Sequence, residues 1–238
     1  MRIKPLLITI IFIVGCNSQN NQWIDLFDGT SMNGWHVYNS DNTGKQWSAK
    51  DGQLVFNNKL LVTNEDLVTD KEYTNFELSL EWNISKGGNS GIFFGVQEID
   101  EFDQAYKTGP EIQVLDNDNY PATEYHKASA LYDLISVKGV KPKPHGEWNH
   151  VIIKIDHNNN IGNVTFNGED LYSFPLSGPE WDNLVSGSKF SSDDYYLKTN
   201  HPDTVYTPMF GKFKTGKIGL QDHGHDVKFR NIKIVNKI

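Results

Sequence analysis

Phe76-Glu77-Leu78-Ser79-Leu80-Glu81-Trp82-Asn83-Ile84 alternates without a break: apolar side chains at five positions, polar ones at the four between. Successive side chains of a strand point to opposite faces, so this run predicts a nine-residue strand with one core face and one polar face. Outward from it the same period recurs. Ser90 to Val96, opened by Gly87-Gly88-Asn89, reads as a more uniformly apolar strand. Glu111 to Asp116 puts Glu111 and Gln113 on one side and Ile112 and Val114 on the other. Val151 to Ile155 and Asn163 to Phe166 form a hairpin around Asp156 to Asn160, and Asn167-Gly168 is a two-residue turn leading to a short strand near Leu171. Lys217 to Gln221 and Val227 to Val235 close the chain as two further strands. Turn signals every eight to twelve residues fit an antiparallel β-sandwich, and the polar faces imply a sheet with one wet side. Ser177 to Phe213 is irregular and rich in Gly, Ser, Asp and Tyr; it reads as a functional loop or small subdomain.

Composition narrows the function. The 238 residues carry 22 Lys and Arg against 30 Asp and Glu, a formal charge of −8, with one cysteine. The acidic balance argues against nucleic acid as a partner, because phosphate contacts need a basic patch. A single cysteine rules out a disulfide framework. Arg2 and Lys4 precede an apolar stretch from Leu6 to Gly15, too short to span a bilayer and suited to export. It ends in Ile13-Val14-Gly15-Cys16, which resembles the lipobox of bacterial lipoproteins. The implied organisation is a signal peptide over 1–15, a polar tether over 16–22 lipidated at Cys16, and a β domain over 23–238. The protein would then sit in the cell envelope, held at the membrane by acyl chains.

Several blocks together resemble the 3-keto-disaccharide hydrolase domain family: Trp23-Ile-Asp-Leu-Phe-Asp-Gly-Thr30, Phe76 to Trp82, Gly87-Gly-Asn-Ser-Gly-Ile-Phe-Phe94, Gly109-Pro-Glu-Ile-Gln-Val-Leu-Asp116, Ala130-Leu-Tyr-Asp133, Gly146-Glu-Trp-Asn149, Ser188-Lys-Phe190 and Ile218-Gly-Leu-Gln-Asp-His-Gly224. The resemblance runs from about residue 23 to 236. It implies an all-β, concanavalin A-like jelly roll of two antiparallel sheets, action on sugars oxidised at C3, and a divalent metal cation. One departure is Asn83, where relatives often carry a basic residue after the Glu-Trp pair.

The candidate site follows from these blocks and from the strand faces. Glu111, His223 and Lys189 stand as catalytic candidates; Glu81, Gln113, Asn89, Tyr132 and Gln221 as contacts to a carbohydrate; Glu111, His223 and Asp222 as metal ligands. His225 lies two residues beyond His223, though Gly224 between them interrupts any strand. Trp35, Trp47 and Trp148 read as core aromatics, with a stacking platform as the alternative. Glu77 and Glu81 have the outer spacing of a glucanase carboxylate set, but Ser79 occupies the middle, which disfavours ordinary acetal hydrolysis. A 3-oxo group acidifies the C2 proton, so a base could open β-elimination of the C1 substituent, and water addition would complete a net hydrolysis. Glu111 reads as base or ligand, His223 as ligand or acid, and Lys189 as support for the developing oxyanion. A non-catalytic lectin-like lipoprotein is the competing reading.

Overall fold

The computed structural model describes residues 22–58, 65–191 and 207–237. Its strands are β1 (Ile24–Asp25), β2 (Trp35–Val37), β3 (Trp47–Lys50), β4 (Gln53–Phe56), β5 (Leu67–Thr69), β6 (Phe76–Ile84), β7 (Asn89–Val96), β8 (Glu111–Leu115), β9 (Asn149–Asp156), β10 (Ile161–Phe166), β11 (Glu169–Phe174), β12 (Lys217–Leu220) and β13 (Val227–Asn236). They build two antiparallel sheets, as the jelly-roll reading requires. The eight-stranded sheet runs β11-β10-β9-β6-β13-β4-β3, with β1 also pairing β13; the five-stranded sheet runs β2-β5-β12-β7-β8.

Strand β6 shows why the sheets face each other. Phe76, Leu78, Leu80, Trp82 and Ile84 are all buried, while Glu77, Ser79, Glu81 and Asn83 point to the other side. Full burial of each such apolar side chain contributes about 1.5–3 kcal/mol, so the face of this one strand fixes the register of the sheet. Ile92 and Phe94 of β7 and Ile112 and Val114 of β8 meet that core from the smaller sheet.

The other face of the five-stranded sheet carries the site. Phe93 pairs with Glu111, Gly91 with Gln113 and Asn89 with Leu115. Period two therefore aims Asn89, Gly91, Glu111 and Gln113 away from the main core. Gly95, at φ 65°, lies at an irregularity in the pairing with β12, which lets Val96 rejoin Phe93 on that outer face. Helix α1 (Pro179–Ser186) is a structured piece of the region read as irregular. Pro179 opens it and Gly187 follows it, and its buried Trp181 docks against Phe210. Residues 192–206 of that region lie outside the described residues, as does Cys16.

Candidate active site

Glu111 is 5% exposed, and its Oε1 is fully buried with no hydrogen-bond partner among the described residues. The carboxyl folds over β7, into space that exists because residue 91 has no side chain: a Cβ there would meet Glu111 Oε1 at 2.0 Å. Burial pushes the Glu111 carboxyl up to about 8; the Lys189 ammonium pulls it down and Asp66 pushes it further up. A carboxylate with an unpartnered buried oxygen is costly, so the neutral acid is the state this niche favours.

Gln113, 2% exposed, donates from Nε2 to Asn89 Oδ1 at 3.0 Å. That leaves Asn89 Nδ2 to donate to His223 Nε2 at 3.3 Å. The chain of bonds assigns Nε2 as the unprotonated nitrogen of a neutral His223 ring. Partial desolvation lowers the His223 pKa, and the positive charges of His225 and Lys189 add to the effect; its own carbonyl and Asp222 oppose it. His223 is exposed at the rim of the cavity.

Across from this floor stand Tyr132 and Lys189. Tyr132 N donates to Glu111 O at 2.9 Å, which ties the Tyr132 loop to β8. Lys189 Nζ donates to the Tyr132 hydroxyl at 3.1 Å and sits 4.4 Å from the ring centroid. Asp133, at φ 60°, anchors both from behind. It accepts from Lys189 N at 2.7 Å and meets His126 Nε2 at 2.8 Å, while His126 stacks on Tyr132 at 4.4 Å. Burial alone would raise the Asp133 pKa, but the bonds from His126 and Lys189 N outweigh it, so Asp133 stays ionised.

A third side is acidic. Asp66 accepts from Asp222 N at 2.9 Å and Ala105 N at 3.0 Å, and burial still pushes it up to about 7. Asp222 is spent on structure: its carboxylate accepts from Glu65 N, Gly224 N and Gln46 Nε2. Glu111, Asp222 and His223 do border one cavity. Among the described residues, however, no three His, Cys, Asp or Glu side chains gather as a metal site, and the Asp222 oxygens already hold three donors. Glu111 and His223 are the side chains of the expected set that would face a divalent cation in this cavity.

The cavity has a volume of about 210 Å³. It brings together Asn89, Glu111, Gln113, Tyr132, Lys189, Gln221, Asp222 and His223 from the sequence reading, and adds Asp66, Gln104, Tyr106 and Phe190, which that reading missed. Glu81 does not join them. It projects from the outer face of the eight-stranded sheet, on the opposite side of the sandwich, where Arg230 Nη2 binds it at 2.6 Å and Asn231 Nδ2 at 2.8 Å. A groove formed by Glu81 and Glu111 together is thereby corrected: alternation gave both a polar face, but on different sheets. Glu77 shares the face of Glu81 and pairs with Lys237 at 3.4 Å. Trp35 and Trp47 are core residues, and Trp148 lies under the Arg230 guanidinium at 4.0 Å. His225 stacks 5.8 Å from His223, with Tyr120 edge-on beyond it.

A larger cleft of about 700 Å³ opens beside β2. Three of its titratable groups are tied to one another: His36 bridges Asp70 at 2.6 Å and Glu98 at 3.1 Å. The smaller cavity, which gathers an acid, an imidazole, a lysine and a tyrosine, is the better candidate.

Residues 22–235 match the model of the 3-keto-alpha-glucoside-1,2-lyase-like domain. The chain is 36% identical over 230 residues to a protein of Bacteroides thetaiotaomicron named 3-keto-disaccharide hydrolase, covering 89% of this chain and 77% of that one. A crystal structure from Parabacteroides distasonis, provisionally named a glycosyl hydrolase, superposes with a TM-score of 0.78 at 29% identity, over 91% of this chain and 94% of that one. A second from the same organism, similarly named, gives 0.62 at 28% identity over 91% and 100%.

Proposed function

The chain belongs to the 3-keto-α-glucoside-1,2-lyase-like domain family, and from that premise we propose that it cleaves 3-keto-glycosides by β-elimination followed by hydration. The observation that carries this reading is one cavity holding two groups tuned in opposite directions. Burial pushes Glu111 toward the protonated acid, and desolvation favours a neutral His223 whose unprotonated Nε2 accepts from Asn89 Nδ2. Such a split is how a fold runs acid and base chemistry together near pH 7.

The roles exchange relative to what the sequence alone suggests. His223 Nε2, exchanging its bond from Asn89 Nδ2 for the substrate, takes the C2 proton, which the neighbouring ketone has made acidic. The electron pair left on C2 becomes an enolate with its charge on O3. Lys189 and the Tyr132 hydroxyl, already bonded to each other, are the donors for that charge. The C2–C1 double bond forms as the C1–O bond breaks, and the Glu111 proton goes to the departing oxygen. Water then adds to C1, with a proton returned to C2, to give the free 3-keto-sugar.

The test compares a 3-keto-glycoside with its unoxidised parent in D₂O. Cleavage of the oxidised substrate alone, with deuterium at C2 of the product, is the expected result. His223→Ala and Glu111→Gln should each lose on the order of 10²–10⁴-fold in kcat. Equal cleavage of both substrates, or a product without deuterium at C2, would refute the elimination. Binding of both sugars with cleavage of neither would favour a lectin-like protein.

A further inference from the structure

Three buried acceptors on the cavity floor have no donor. Glu111 Oε1, Gln113 Oε1 and Gln221 Oε1 are each shielded from solvent and without a hydrogen-bond partner among the described residues. All three residues line the one cavity of about 210 Å³. Buried acceptors are almost always satisfied, and an unmet one costs about 1–3 kcal/mol; three of them on residues that line one cavity point to a ligand that supplies the donors. The cavity is also below the ~300–1,000 Å³ of pockets for drug-sized ligands. It has room for one ring, and the aromatic groups of Tyr132, Tyr106 and Phe190 line it as well.

Resting on the reading of this cavity as a sugar site, we propose that Glu111, Gln113 and Gln221 form a hydroxyl-reading wall that selects a single fully hydroxylated hexose ring by accepting hydrogen bonds from its hydroxyls. The second sugar or aglycone then lies outside the cavity and is not read by it. The orientation of Gln113 is set by its bond to Asn89, so Oε1 is the atom it offers. Glu111 Oε1 likewise has no donor among the described residues. The opposite wall, with the Lys189 ammonium, presents donors. A ring between the walls is therefore oriented with its pure acceptor, the ketone oxygen, toward Lys189 and with hydroxyl hydrogens toward the glutamines.

Binding is measured by calorimetry on the wild-type protein with a methyl 3-keto-hexoside and with the unoxidised methyl hexoside. The same measurements use analogues in which one ring hydroxyl is replaced by hydrogen or by fluorine. A site built to bond a hydroxyl rejects the analogue that lacks it far more strongly than an apolar pocket rejects a missing methylene. At least two positions should lose on the order of 10²-fold or more, and fluorine should be as poor as hydrogen, because it accepts but cannot donate. In Gln221→Leu, which removes one acceptor, the penalty at one of those positions should shrink at least tenfold. Fluoro analogues that bind like the parent would mean that the amides present N–H groups, which overturns the proposal. So would equal binding of all deoxy analogues, or no binding of any hexoside. If the sugars bind with these penalties but no 3-keto-glycoside is cleaved, the elimination reading fails and the hydroxyl-reading wall stands.

Discussion

Gly91→Ala perturbs the reaction from outside its reacting groups. A Cβ built on residue 91 lies 2.0 Å from Glu111 Oε1, 2.6 Å from Cδ and 2.7 Å from Cγ. Ordinary contact between heavy atoms begins near ~3.5 Å, so the Glu111 carboxyl has to retreat by roughly 1.5 Å. Overpacking costs about 1–3 kcal/mol, and because the clash is with the end of a side chain rather than with backbone, the lower half of that range is expected. Activity suffers more: a displacement of about 1 Å in a catalytic group is worth on the order of 10²-fold. The loss should fall in kcat against a 3-keto-glycoside. The pH profile should report it as well, since a carboxyl displaced from its dry niche loses the desolvation that holds it near 8. Its alkaline limb should therefore move to lower pH. Gly162→Ala is the control: its Cβ would crowd the Phe174 ring, in the eight-stranded sheet rather than in the sheet that carries Glu111. It should lower the unfolding midpoint with little change in kcat. Wild-type kcat in Gly91→Ala together with an unmoved alkaline limb would refute the claim that the Glu111 position is set by that glycine.

The wild-type kcat/KM profile should be bell-shaped, falling below the ordinary histidine range as His223 gains a proton and above about 8 as Glu111 loses one; a rate that keeps rising through pH 9 excludes Glu111 as the acid. Glu111 also links stability to pH: its folded pKa, about 8, lies above the ordinary carboxylate value, so between the two the folded chain holds a proton that the unfolded chain has released. That contribution is complete below the unfolded pKa and is lost as pH rises through 8, so Glu111→Gln should gain in unfolding midpoint over the wild type at pH 9 and gain least near pH 4. Asp133→Ala removes the anchor of Lys189 N and His126, and should cost kcat on the order of 10-fold or more while KM for the sugar changes less. Lipidation is tested by fractionation: the wild type should sediment with membranes and carry acyl mass on Cys16, and Cys16→Ser should be released.

What could be read in the chain, and what could not, divides along a physical line. Strands β6, β8, β9 and β10 were legible because five to nine alternating residues make a signal longer than the noise. β1 to β5 have two to four residues each and take their conformation from partners far along the chain, such as β4 from β13 through Val55 and Lys228. Alternation likewise identified Glu111, Gln113 and Glu81 as lying on polar faces, but it cannot say which face loops will roof. The roof over Glu111 comes from the Tyr132 loop and the Lys189–Phe190 segment, whereas Glu81 meets Arg230 and Asn231 on the outer face of the other sheet. Asp66 was invisible for the same reason: its place depends on bonds to Ala105 and Asp222, the second 156 positions away. Protonation states are further removed still from local sequence. A glutamate in a strand reads as charged, and the niche that makes it an acid depends on a glycine of the neighbouring strand. Within a strand, glycine costs stability and is usually a bulge or an accident. Gly91, set beside a carboxyl on the adjacent strand, instead lets that carboxyl lie flat on the sheet and leave water. A glycine in a strand interior that flanks an inward acid thus becomes a sequence-level sign of a carboxyl destined to hold its proton.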